Sequence, residues 1–161
     1  MTVSDSSYTS IVNLLHRYAE LVDQGRFSQM ADELFVRTAF KVAPPPAPLV
    51  GSREIRERFE QMVIVHGDGT PRTRHLVTNP IVDIDEGANT AASRSCYTVL
   101  QQTEDLPLQV ILAGRYHDRF VRAEGVWWFS ERDYTLVDLT GNVSHHLRLL
   151  GGQDISSGDW S

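Results

Sequence analysis

The chain has 161 residues, 41% hydrophobic and 22% charged, with a formal net charge of -6, which suits one domain with a sizeable core and leaves little room for two. The acidic balance and the lack of a basic run argue against nucleic acid or anionic membrane surfaces as partners, and no stretch of about 18 apolar residues could span a bilayer. A single cysteine, Cys96, excludes an internal disulfide and a cysteine metal cluster.

The first residues, Met1 to Ser7, lack the basic start and apolar run of a signal peptide, so a cytoplasmic location is the default expectation. Ser6 or Ser7 caps a first helix in which Ile11, Leu14, Leu15, Tyr18 and Val22 recur at helical spacing, and Gly25 stops it. Asp23 falls on the last turn, at the edge of the apolar stripe. A short second helix runs from Ser28 to Phe35, and Val36 to Val42 reads as a strand. Four prolines between Ala43 and Pro48 rule out a central strand or a helix there and make a stiff loop at a rim. A third helix opens at Gly51-Ser52, with Ser52 as cap, and runs to about Val65.

From Arg74 the period changes to that of strands. Four are expected: His75–Asp85, Ala91–Gln102, Leu108–Arg122 and Val126 to about Leu139, joined by short turns as consecutive antiparallel hairpins. Helices first and a run of long strands afterwards give an α+β domain, a curved, cone-shaped antiparallel sheet with N-terminal helices enclosing a pocket. The core spans about 6–140 of a single 1–161 domain, and the polar tail 141–161 is loosely ordered towards its end. Cys96 reads as a buried structural thiol. Strands apolar on both faces, such as Val110 and Leu112 beside Ile111, point to burial on two sides.

Asp23 and His75 are the residues of most chemical interest. A carboxylate that meets an imidazole from another element fixes its tautomer and stabilises its imidazolium, producing a general base. Alternation puts His75, Val77 and Asn79 on one face of their strand, Leu112, Gly114, Tyr116 and Phe120 on one face of the third, and Trp128, Ser130 and Arg132 on one face of the fourth. Tyr97 lies mid-strand. From these faces Tyr97, Tyr116, Arg132, Asn79 and Trp128 are candidates to line a substrate pocket, with Arg132 able to anchor a carbonyl or phenolate. His145-His146 is a weak metal signal, because neighbouring side chains diverge and no third ligand has useful spacing. No metal and no cofactor are expected.

The order of elements resembles the nuclear transport factor 2-like superfamily and, within it, the SnoaL-like group, over roughly Ile11 to Leu139. The resemblance is carried by Tyr18…Asp23-x-Gly25, Arg74-His-Leu-Val-Thr-Asn79, Gly114-Arg-Tyr-His-Asp-Arg-Phe120 and Gly125-Val-Trp-Trp-Phe-Ser-Glu-Arg132. The group includes scytalone dehydratase, a bile-acid dehydratase, a dehydrochlorinase and polyketide cyclases. The resemblance implies a catalytic aspartate at Asp23, a catalytic histidine at His75 and a catalytic tyrosine at Tyr18. It implies a lyase or isomerase, first of all a dehydratase of a small cyclic oxygenated compound, or alternatively a cyclase or double-bond isomerase. A small-molecule substrate and a homo-oligomer, dimer or trimer, follow from the same source. Ser93-Arg-Ser-Cys-Tyr97 has no carboxylate, which departs from the epoxide hydrolase pattern, and a ketosteroid isomerase-like strand base has no evident counterpart. Ring-hydroxylating dioxygenase β subunits, which share the fold without catalysis, supply the rival expectation of a binding or assembly subunit.

Overall fold

In a computed structural model, residues 6–42 and 49–148 are described; the proline-rich loop and the end of the tail, both singled out above, lie outside them. Three helices, α1 (Ser7–Asp23), α2 (Phe27–Leu34) and α3 (Gly51–Met62), precede the long strands. The strands are β1 (Phe35–Val42), β2 (Leu49–Val50), β3 (Thr73–Asp85), β4 (Thr90–Gln101), β5 (Gln109–Ala123) and β6 (Val126–Thr140). They form one six-stranded sheet in the order β2-β1-β6-β5-β4-β3. The expected hairpins β3 to β6 pair antiparallel, whereas β1 enters beside β6 in parallel, because α1 and α2 carry the chain across the sheet before it starts. The architecture is α+β, with helices against a curled sheet.

Local chemistry explains the helix ends. The Ser6 hydroxyl accepts the Thr9 N–H at 3.2 Å and caps α1. At its other end Gly25 takes φ +70°, its N–H bonds the Val22 carbonyl at 3.0 Å, and the Arg26 N–H reaches back to Leu21 at 2.9 Å. This pair of reversed bonds closes the helix and is favoured by glycine at the left-handed position. For α3, Ser52 is not the cap: the helix opens at Gly51 with Val50 at the cap position, and the Glu54 carboxylate accepts the Val50 N–H at 2.9 Å.

The core joins the apolar stripes of the helices to the inner face of the sheet. Ile11, Leu15, Leu21, Met30, Ile55 and Phe129 are fully buried. On β4 the residues at odd positions from Ala91 to Gln101 point inward. Cys96 therefore faces outward and is exposed, contrary to the buried thiol expected from sequence. Bulges shift the pairing of β3 between Thr78 and Ile81 and that of β5 with β6 beside Phe120, and such insertions bend and twist long strands.

Candidate functional site

Asp23 is the last residue of α1, and the closing turn at Gly25 aims it at the start of β3. A Cβ at Gly25 would lie 2.6 Å from the Gly69 carbonyl oxygen, so the loop leading into β3 is seated directly on the helix end. Three donors from that strand converge on the carboxylate. The Thr73 hydroxyl donates to Oδ1 at 2.8 Å, the His75 backbone N–H to Oδ2 at 2.8 Å, and His75 Nδ1 lies 2.6 Å from Oδ1. A carboxylate only accepts, so Nδ1 is the donor, and in the neutral ring that leaves the lone pair on Nε2. Both side chains are buried, with 8% of His75 and 6% of Asp23 exposed.

Behind this pair the inner face of the sheet is polar and aromatic. Arg132 is wholly buried and pairs with Asp118 at 3.3 Å. Its guanidinium carbon sits 3.9 Å from the ring centre of Tyr18 and 3.8 Å from that of Tyr116, in the angle between the two rings. Burial works against its charge, but Asp118 and the two tyrosines outweigh it and hold the guanidinium more firmly protonated than usual. Tyr116 stacks on Tyr97, ring centres 4.3 Å apart. Burial raises both phenols above their ordinary range, so they stay protonated and able to donate at neutral pH. Tyr97 finds its place because Gly114 leaves a notch: a Cβ there would lie 2.8 Å from the Tyr97 hydroxyl.

The structure thus brings Tyr18, Tyr97, Tyr116 and Arg132 together on the interior, and Asp23 with His75 at its edge. Asn79 and Trp128 lie elsewhere. Asn79 sits at the bulge of β3 with φ +54°, which interrupts the alternation and leaves it exposed. The bulge in β6 adds Ser130 between the pairs Phe120↔Phe129 and Arg119↔Glu131. As a result Trp127, Phe129 and Arg132 are buried while Trp128 is only partly so. Neither residue has a place in the interior set.

Three interior residues were not anticipated. Asp118 is the buried strand carboxylate that sequence reasoning could not place, and its signal was the inward parity it shares with Tyr116 and Phe120. Thr73 shares the parity of His75. His146 is buried, its ring centre 6.2 Å from that of His75. Burial first, then the neighbouring His75, push its pKa down to about 3. The hydroxyls of Ser93 and Ser95, the Nε and Nη2 of Arg132 and the Nδ1 of His146 are buried without a hydrogen-bond partner. Natural proteins leave few such atoms. Among the described residues, no three His, Cys, Asp or Glu side chains gather to hold a metal ion, and no helix is long and apolar enough to cross a membrane.

Residues 5–133 match the family model described as the SnoaL-like domain. No curated protein matches the chain. Among solved structures, a protein from Novosphingobium aromaticivorans assigned as a scytalone dehydratase is 24% identical, over 83% of this chain and 85% of its own, with a TM-score of 0.66. From the same organism, a nuclear transport factor 2-like protein with a cystatin-like fold is 18% identical, covering 94% and 86%, with a TM-score of 0.64. The β subunit of a protein assigned as an aromatic-ring-hydroxylating dioxygenase, also from that organism, is 20% identical, covering 88% and 95%, at 0.66. At this identity the structures show the fold, which is the nuclear transport factor 2-like one.

Proposed function

Because the chain belongs to the SnoaL-like domain family, we propose that it is a cofactor-independent lyase or isomerase, first of all a dehydratase, acting on a small, mostly apolar, oxygenated ring compound. The observation that carries this reading is the 2.6 Å contact between Asp23 and His75 Nδ1 on buried side chains. His75 Nε2 removes a proton from a carbon next to an activating carbonyl. The electron pair of that C–H bond forms the new double bond as the C–O bond to the hydroxyl on the adjacent carbon breaks, and the leaving oxygen takes the proton from the His75 imidazolium and departs as water, which returns His75 to its neutral state. Asp23 orients the ring and stabilises its imidazolium, as a buried carboxylate does for a triad histidine. Tyr18, with Tyr97 and Tyr116, offers hydroxyls to the oxygen that gains charge or leaves, and Arg132 supplies positive charge beneath them. Cyclisation and double-bond isomerisation start from the same proton abstraction.

The test is substitution. His75→Ala and Asp23→Asn each lower turnover by about 10² to 10⁴ while circular dichroism and ligand binding stay near wild type. Undiminished activity in either variant overturns the dyad. The likeness to a dioxygenase β subunit favours a second reading, a ligand-binding or assembly subunit, which requires a stable complex with a larger subunit that survives His75→Ala. A homo-oligomer built on the outer face of the sheet, where Val110, Leu139, Leu76 and Ile81 are exposed, is proposed on the same footing and is read by sedimentation.

A further inference from the structure

The segment that follows β6 returns to the dyad. It turns through Val143 to Leu147, with the N–H groups of His146 and Leu147 both bonding the Val143 carbonyl at 2.9 Å. It then clasps the end of α3: Val63 bridges Leu147, the Ile64 N–H reaches the His146 carbonyl at 2.8 Å, and the Arg148 N–H reaches Met62 at 2.8 Å. From the sheet side, the Gln101 amide donates to the His145 carbonyl at 2.9 Å, and His66 Nε2 contacts the same oxygen at 3.0 Å. The backbone on either side of His146 is thereby fixed, and its ring is set edge-on to His75 at an interplanar angle of 65°. The ring is 4% exposed, and its Nδ1 has no partner in the protein.

We propose that His146 is a substrate-contacting residue of the dyad's site, its Nδ1 hydrogen-bonding an oxygen of the ring compound whose carbon faces His75. This rests on the Asp23–His75 reading and adds to it the residue that sets where the substrate oxygen lies. Two observations support it independently of each other. The protein satisfies the backbone around His146 from β4 and from the end of α3, yet leaves one buried ring nitrogen open beside the base. The ring is also held neutral, with one donor and one acceptor nitrogen. A neutral imidazole can support an oxygen that gains charge without giving up its proton. His146 lies beyond residues 5–133, the part that matches the family model.

The experiment uses the full chain labelled with ¹⁵N-histidine and 4-nitrophenol as an oxygen-bearing aromatic probe. Both His75 and His146 ring nitrogens shift on titration, with His146 keeping the pattern of a neutral ring. His146→Leu raises the probe's dissociation constant about tenfold or more, and His146→Gln, which retains a donor, recovers most of the affinity. Shifts at His75 without shifts at His146 overturn the inference and leave the dyad's site standing. Shifts at neither overturn both, and unchanged affinity in His146→Leu overturns the inference alone.

Discussion

The Arg132–Asp118 pair illustrates how much a single buried charge can determine. Arg132 is wholly buried and Asp118 nearly so, and the guanidinium also braces Tyr18 and Tyr116. Removing one partner of such a pair strands the other, at a cost of about 3–5 kcal/mol. Asp118→Ala is therefore expected to lower unfolding free energy by that order in urea titrations, more than the removal of any exposed ion pair such as Arg115–Asp138. Equal effects of the two would refute the structural importance of the buried pair. Arg132→Lys is not conservative here, because an ammonium cannot lie flat in the angle between two rings. It should keep the fold but reduce activity, visible as a fall in kcat on a chain of near-native stability.

At the scale of elements, the chemistry depends on how α1 ends. Gly25 combines φ +70° with the close approach of the Gly69 carbonyl, so any side chain is strained twice. Gly25→Ala is expected to cost about 1–3 kcal/mol and, by shifting the helix end, to lower kcat as Asp23 leaves His75. A variant that loses stability but keeps full kcat would separate the two roles and contradict this coupling. Gly114→Ala tests the notch: its Cβ would collide with the Leu136 carbonyl oxygen, a backbone atom that cannot swing away, so thermal stability falls. The elements themselves were legible from sequence, since the switch from helical to alternating period at Arg74 and the turn residues between strands are local signals. The interruptions of that alternation were not. A bulge changes which face follows it, and nothing in Thr78-Asn79-Pro80 or Phe129-Ser130-Glu131 fixes its position without the neighbouring strand. Asn79 and Trp128 were misplaced for that reason. Asp23 and His75 were legible because each stands at an element boundary marked by glycine or a change of period. His146 was not, because its meaning comes from a clasp onto α3 some eighty residues earlier in the chain.

At the scale of the whole molecule, the interior imposes a window of pH on stability. Burial, then the proximity of His75 and His66, push the His146 pKa from its ordinary 6.5 down to about 3 in the folded chain, with Asp23 acting in the opposite sense. Below about 6.5 the unfolded chain binds a proton that the folded chain refuses, so stability falls as pH falls, with a limiting slope of about 1.4 kcal/mol per pH unit until the folded ring titrates. On the alkaline side Tyr97 and Tyr116 have raised values, chiefly through burial. Above about 10 the unfolded phenols ionise first, and the stability they contribute is lost as pH rises. Unfolding free energies measured from pH 4 to 7 should show the acid slope in the wild type and a flatter curve in His146→Gln, whatever the variant costs at pH 7. Parallel curves for wild type and His146→Gln would mean that the ring is hydrated in solution. That result would remove the reason for its neutrality.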